Sequence, residues 1–242
     1  MRQVPSYLLI GNGRVAKHFQ AYFSQLSIHY DTWCRQQSEF LLQQALCEAS
    51  HILLLIQDDA IAAFIKTHLK DYQGIVIHCS GSLVVEGAYG AHPLMTFSHE
   101  LYARDVYESI PFIIDHNAPE FNLLLPQLPN QHQRLHHADK AKYHALCVMS
   151  GNFSCLLWQQ FFEKIQTQFG WPMTLAYPYL RQQMQNLMAH PTKALTGPLV
   201  RRDHETMQRN IKALQGDPLQ TLYLAFVDFY EATQKVNNHE CI

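Results

Sequence analysis

Features that would assign this chain of 242 residues to several common classes are absent. It has no long basic run, and 20 Asp and Glu balance its 18 Lys and Arg, so its charge does not favour a nucleic-acid partner. The longest purely aliphatic run, residues 52–56, is far shorter than the roughly 20 residues that a membrane span needs. We therefore expect no nucleic-acid partner and no membrane partner.

The cysteines and histidines do not form a recognisable ligand set. None of the six cysteines occurs in a Cys-x-x-Cys pair, and nothing suggests a disulfide framework. Among the 15 histidines, His132 and His136 have a helical ligand spacing but lie in a predicted loop and short strand. The N-terminal residues also lack a signal-peptide pattern. We expect reduced thiols, no metal site and a cytoplasmic protein.

A glycine-rich turn near the N-terminus is the strongest functional signal. Four apolar residues run into Gly11-Asn12-Gly13-Arg14-Val15-Ala16, and apolar residues then recur at helical spacing. Gly11 suits a tight turn, Gly13 lets a pyrophosphate approach the main chain, and Ala16 lets the helix pack on the strand. The alternative is an ordinary glycine turn between a strand and a helix. The strand–turn–helix context favours dinucleotide binding by residues 11–15, with the anion at the helix N-terminus.

The pattern of predicted secondary structure changes near residue 137. Before this point, predicted strands and helices alternate, which indicates a parallel sheet. After it, strand signals are absent, and residues 139–169 contain no proline and a single glycine, Gly151, which predicts one long helix. The sequence therefore predicts an α/β protein, with a Rossmann domain (a doubly wound parallel sheet) at residues 1–137 and an all-helical domain at residues 138–242.

The residues around the end of the second predicted strand indicate the cofactor. An acidic residue about 20 positions after the fingerprint binds the ribose of NAD, whereas an arginine there suits the 2′-phosphate of NADP. Asp31 has the first spacing but falls inside the predicted strand. Arg35 comes just past the tip, where a guanidinium can reach that phosphate. The alternative is a solvated surface arginine; we favour NADP as the cofactor.

Several motifs resemble a known superfamily. The glycine turn with Trp33-Cys34-Arg35 resembles the Trp-Asn-Arg arrangement of the β-hydroxyacid dehydrogenase, 6-phosphogluconate dehydrogenase and pyrroline-5-carboxylate reductase superfamily. Further motifs narrow the resemblance to a bacterial family of Rossmann-like proteins with a C-terminal domain of unknown function. They are His78-Cys79-Ser80-Gly81, His92-Pro93-Leu94, Tyr143-His144-Ala145 and Thr196-Gly197-Pro198. The resemblance implies an NADP-binding Rossmann domain, a helical domain like that of 6-phosphogluconate dehydrogenase, and a homodimer.

The chain departs from this superfamily at one position. Many β-hydroxyacid dehydrogenases carry a catalytic lysine four residues before an asparagine on the first interdomain helix. Asn152 matches the asparagine, but Val148 stands at the lysine position. The departure weakens the case for lysine-assisted alcohol oxidation. It leaves Asn152 either to orient a substrate or to serve as a polar group satisfied within the helical domain.

Other candidate site residues follow the ends of predicted strands, where ligands bind in open α/β sheets. Gln57 and Asp58 follow the third strand and can line the cofactor, although Asp58 is more simply a helix cap. Cys79 and Ser80 follow the fourth strand and face the same crevice. His92 can transfer a proton, with a pKa near its ordinary value of about 6.5, or can fix a loop by a hydrogen bond.

Two functions remain open at this point. The first is an NADP-dependent oxidoreductase that acts on a small metabolite in an interdomain cleft, where Arg201 can hold a substrate carboxylate. The second is a catalytically silent NADP-binding sensor or interaction protein. The polar residues of the crevice favour the first, and the missing lysine favours the second. The apolar residues of the helix at 139–169 further predict a homodimer through the helical domain.

Overall fold

The computed structural model of the chain describes the backbone of residues 5–239 and the side chains of residues 5–234. Its α/β part consists of β1 (Tyr7–Ile10), α1 (Arg14–Gln25), β2 (Tyr30–Trp33), α2 (Glu39–Glu48), β3 (His51–Leu54), α3 (Asp58–His68), β4 (Ile75–His78), β5 (Tyr89–Pro93), α4 (Arg104–Ser109), β6 (Phe112–Asp115), α5 (Phe121–Leu124) and β7 (His132–Leu135). The helices that follow are α6 (Lys140–Cys147), α7 (Ser154–Thr167), α8 (Tyr177–Ala189), α9 (Pro198–Arg201), α10 (His204–Ala213) and α11 (Leu219–His239).

The strands form one sheet in the order β2-β1-β3-β4-β5-β6-β7. Neighbouring strands are parallel except β5 and β6, which are antiparallel. The chain places β2 on one side of β1 and β3 on the other, so the strand order reverses beside β1. Open α/β sheets bind ligands at such a switch point. The predicted fold, a Rossmann sheet followed by helices, is confirmed, and the antiparallel pair is the one difference from an all-parallel sheet.

Both faces of the sheet are buried, which explains the continuous apolar run of its first strand. Side chains alternate between the two faces along a strand. Tyr7 and Leu9 therefore pack with Phe23 of α1 on one face. Leu8 packs with Leu42 of α2 on the other. The rigid layer formed in this way fixes the carboxyl ends of the strands, where the candidate site lies.

The stretch predicted as one long helix is helical throughout but not regular. It begins with a 3-10 turn at His137–Asp139, continues as α6, passes through a π-helical segment at Val148–Phe153, and ends with α7. The hydroxyls of Ser150 and Ser154 donate to the carbonyls of residues four positions earlier. These bonds compete with the backbone pattern of a regular helix. The wider π turn also changes the angle between His144 and Asn152 from that of an α-helix.

The chain divides into two compact units between Leu157 and Trp158. The first unit contains the whole sheet, α6 and the π-helical segment. In the second unit, Asp203 caps α10 by accepting the Thr206 backbone N–H at 3.0 Å. The last strand ends at Leu135, close to the boundary that the sequence predicts at residue 137. The compact units, however, divide about 20 residues later, between Leu157 and Trp158. The predicted boundary therefore stays a prediction.

Two glycines of the first turn provide a matched test of how the fold is held. Gly11 has a φ of +129°, and a Cβ there would collide with the Leu55 carbonyl oxygen, whereas a Cβ on Gly13 would meet open space. We expect Gly11→Ala to lower the free energy of unfolding by roughly 1–3 kcal/mol or more, because it adds both backbone strain and a collision. Gly13→Ala should cost less than about 1 kcal/mol. Urea denaturation measures both, and equal losses would contradict this account.

Candidate functional site

A groove of about 780 Å³ runs along the carboxyl ends of β1, β3 and β4 and the first turns of α1 and α3. Its volume is in the range of small-molecule and cofactor sites. All ten residues that the sequence predicts for the cofactor line it: Gly11, Asn12, Gly13, Arg14, Val15, Arg35, Gln57, Asp58, Cys79 and Ser80. The fold thus brings these residues into one place, and their role in binding stays a prediction.

The glycine turn presents an unobstructed helix N-terminus to this groove. Gly13 is the N-cap of α1, no side chain caps the helix, and its first turn contains no acidic residue. No atom lies within 4 Å of the position that a Cβ of Gly13 would occupy. The Arg14 guanidinium is held aside by the Phe97 carbonyl at 3.3 Å and by His99 Nε2 at 3.2 Å. Free backbone N–H groups at a helix N-terminus are suited to a phosphate.

The lining of the groove also includes aromatic rings and an arginine. The ring centroids of Trp33 and Phe64 are 5.9 Å apart, and those of Phe64 and His68 are 4.7 Å apart. Arg35 lies just beyond β2, is exposed and lines the groove. Asp31 is the second residue of β2 and does not line it. The relation that the sequence predicts for Asp31 and Arg35, one inside the strand and one past its tip, is therefore found in the structure.

Asp58 does not cap a helix, which corrects the simpler of the two sequence interpretations. Gln57 is the N-cap of α3, and Asp58 is its first helical residue. The Asp58 carboxylate instead accepts a hydrogen bond of 2.5 Å from the Ser80 hydroxyl. This bond joins the segments that follow β3 and β4 at the edge of the groove. Burial raises the pKa of the neighbouring Cys79 thiol to about 12, so that sulfur is protonated near neutral pH.

His92 lies beyond this edge, in a partly buried environment. Its Nδ1 is 2.8 Å from the Tyr143 hydroxyl, and its ring centroid is 5.9 Å from that of His144. A Cβ on Gly81 would meet both imidazoles, so the loop after β4 reaches the same place. Burial, followed by the His144 and Lys140 charges, lowers the pKa of His92 to about 4. The expectation of an ordinary pKa near 6.5 is therefore wrong: His92 is neutral near pH 7.

Three buried groups beside His92 were not singled out from the sequence. Lys140 Nζ lies 2.6 Å from Asp115 Oδ1, and both side chains are almost fully buried. His78 is completely buried, and neither ring nitrogen has a hydrogen-bond partner among the described residues. Burial and then the Lys140 charge lower the pKa of His78 to about 4. A sequence signal did exist, because Lys140 precedes Tyr143 and His144 by three and four positions, the spacing of one helical face.

The two remaining candidates for substrate contact lie elsewhere in the chain. Asn152 is an exposed residue of the π-helical segment in the first unit. Arg201 is the exposed last residue of α9 in the second unit. Their roles toward a substrate stay predictions. Among the side chains of residues 5–234, no three or more of His, Cys, Asp and Glu are grouped as a metal would require. None of the helices described within residues 5–239 is long and apolar enough to cross a membrane.

The fold and the groove define a class, an open α/β protein with a groove at the switch point of its sheet and a helical C-terminal part. More narrowly, residues 110–228 match the family described as "Domain of unknown function (DUF2520)". This match confirms the resemblance to Rossmann-like proteins with a C-terminal domain of unknown function. A search of characterised proteins by sequence gave no match.

Solved structures with this fold include nicotinamide-dependent reductases. A proposed NADP oxidoreductase from Bacteroides fragilis has a TM-score of 0.74 and 19% identity, over 93% of this chain and 97% of that one. A Thermotoga maritima protein has a TM-score of 0.69 and 19% identity, over 96% and 99%. A Myxococcus stipitatus imine reductase in complex with NADP+ has a TM-score of 0.64 and 11% identity, over 96% and 95%. At these identities the similarity establishes the fold.

Proposed function

We propose that the chain is an NADP(H)-dependent oxidoreductase that acts on a small metabolite. The observation that carries the proposal is the convergence of the ten predicted cofactor residues on one groove at the switch point of the sheet. The NADP+ complex of the structurally similar imine reductase supports the same choice of cofactor. The expectation of a cytoplasmic protein stays a prediction alongside it.

The residues present fit this cofactor along its whole length. The turn from Gly11 to Val15 would hold the pyrophosphate, since no side chain caps the N-terminus of α1. Arg35 would contact the 2′-phosphate, and the ring of Trp33 offers a flat apolar surface beside it. The segments containing Asp58 and Ser80 would then line the nicotinamide half, because they lie along the same groove after β3 and β4.

His92, which the loop after β4 approaches, is our candidate for proton transfer to or from the substrate. When bound, NADP(H) supplies or accepts a hydride at the substrate carbon. A neutral His92 can accept the hydroxyl proton of an alcohol during oxidation. In the reverse direction, the protonated His92 must return this proton to the oxygen or nitrogen of the carbonyl or imine as the hydride adds to the carbon. Asn152 and Arg201 remain our proposals for orienting the substrate and holding its carboxylate.

A catalytically silent NADP-binding sensor or interaction protein is the second candidate. The observation that favours it is Val148, which stands where related dehydrogenases carry the catalytic lysine. Both candidates require cofactor binding, so affinity for NADPH does not separate them. Oxidation of NADPH that depends on an added carbonyl or imine metabolite would establish the enzyme. Tight NADPH binding without turnover across a broad panel would establish the silent protein.

The cofactor assignment predicts a specific loss in Arg35→Ala. An ionic hydrogen bond to the 2′-phosphate is worth roughly 1.5–3 kcal/mol, so NADPH affinity should fall about 10- to 150-fold while NADH affinity changes little. Titration of both cofactors measures this, and Arg181→Ala, an exposed arginine of α8, is the matched control. Equal affinity of the wild-type protein for NADH and NADPH would overturn the assignment.

The proposed reaction predicts a separate loss in His92→Ala. Removal of the proton-transfer group should lower kcat by roughly 10²–10⁴-fold, while NADPH affinity should stay nearly unchanged because the groove is intact. Steady-state kinetics and cofactor titration measure the two effects, with His29→Ala at an exposed position as the control. Full turnover by His92→Ala would leave this residue as a loop-fixing group only.

We further propose a homodimer through the helical part of the chain. The second unit leaves many large apolar side chains exposed, including Phe169, Trp171, Tyr179, Met188 and Phe229. Exposed apolar surface of this extent is typical of an interaction site. Sedimentation at micromolar concentration should give about twice the monomer mass of 28.0 kDa, and Phe229→Glu should shift it toward the monomer. A wild-type monomer would contradict the proposal.

A further inference from the structure

A buried ammonium group lies beneath the His92 site. Lys140, the first residue of α6, is 4% exposed and forms its ion pair with Asp115, the last residue of β6. The second Asp115 oxygen accepts the backbone N–H of Gly90 in β5 at 2.6 Å. His137 Nε2 approaches the same oxygen at 3.6 Å. The start of α6 is therefore tied to two neighbouring strands through one carboxylate.

Gly90 provides the space that this arrangement requires. A Cβ at this position would collide with Lys140 Nζ and would come within 2.9 and 3.0 Å of the two Asp115 oxygens. His78 lies beside Gly90 in the sheet, because the two residues are register partners of β4 and β5. The Lys140 ammonium group therefore lies over Gly90, where the sheet has no side chain. The buried side chains of His78 and Asp115 flank it.

The ion pair between Lys140 and Asp115 also fixes how α6 runs along β5. Gly90 and His92 share a face of β5 and are separated by about 6.6 Å along the strand. Lys140 and Tyr143 share a face of α6 and are separated by about 4.5 Å along the helix. With Lys140 held at Gly90, the next turn of the helix brings the Tyr143 hydroxyl to His92 Nδ1, at 2.8 Å. His144, on the same turn, meets Gly81 and the His92 ring.

We propose that Lys140 is the positioning residue of the His92 site: held over Gly90 by Asp115, it sets Tyr143 and His144 against His92. The proposal rests on the proposed function for its catalytic meaning, since it concerns the residue assigned to proton transfer. In this account Lys140 has a positioning role, which differs from the role of the catalytic lysine in related dehydrogenases. Lys140 contacts neither substrate nor cofactor in this account.

The charge of Lys140 also acts on His92. The titratable groups facing His92 are Lys140, Tyr143 and His144 from α6 and Asp58 from α3. Lys140 and His144 lower the pKa of His92, and Asp58 raises it. A like charge nearby disfavours protonation. Removal of the Lys140 charge should therefore raise the pKa of His92, which a purely structural role for the ion pair would not require.

The test replaces both members of the ion pair, so that no charge is left buried alone. In Lys140→Met/Asp115→Asn, the asparagine oxygen can still accept the Gly90 N–H. We expect the NMR titration midpoint of His92, assigned with His92→Gln, to rise by roughly half a pH unit or more in the cofactor-free protein. Lys142→Met, at an exposed position two residues further along α6, should leave the midpoint unchanged. An unchanged His92 titration in the folded double variant would overturn the proposal.

Gly90→Ala provides an independent variant in case the double variant does not fold. It keeps both charges but forces Lys140 Nζ to move, whereas the control Gly151→Ala meets no atom within 4 Å. We expect Gly90→Ala to alter the His92 titration and to lower kcat at least tenfold with NADPH affinity retained. A wild-type titration curve in Gly90→Ala would overturn the proposal. If no metabolite supports turnover, the titration still decides the role of Lys140, and the proposed reaction fails separately.

Discussion

The close passage of β1 between its two neighbours is the constraint on which the rest of the site depends. The Gly11 N–H donates to the Trp33 carbonyl at the end of β2, and the Ile10 carbonyl accepts the Leu55 N–H just past β3, each at 2.8 Å. The backbone can leave β1 at this point only with a φ of +129°, against the Leu55 carbonyl, and glycine allows that conformation. Helix α1 begins three residues later, so its N-terminus must open onto the groove.

Two chemically different regions meet along this edge of the sheet. The groove is open, and it combines backbone N–H groups with the exposed Arg35, which suits a polyanion. The region around His92 is enclosed, and burial keeps its imidazole neutral. The loop after β4 connects them, because Ser80 bonds to Asp58 at the groove while Gly81, the next residue, touches His92 and His144. Under the proposed function, the groove would hold the cofactor and the neutral imidazole of His92 would accept the substrate proton.

The position of the lysine separates this chain from the β-hydroxyacid dehydrogenases that its sequence resembles. A lysine that faces the substrate can exchange protons with it. Lys140 instead forms a buried ion pair with Asp115. That pair is tolerable because both Asp115 oxygens are hydrogen-bonded and because Gly90 leaves room for the ammonium. A shared fold therefore does not by itself determine the chemistry at individual positions.

The sequence by itself determined the glycine turn, the Rossmann fold, the helical C-terminal part and the placement of Arg35 past the tip of β2, because these follow from local spacing and residue type. It could not supply the Asp58–Ser80 bond, which joins residues 22 positions apart. It also could not supply the neutral state of His92, which depends on burial and on α6, about 50 positions away. Nor could it reveal that Lys140 is buried. Only the tertiary structure decided these features, because pKa values and ion pairs depend on groups that folding brings together from distant parts of the chain.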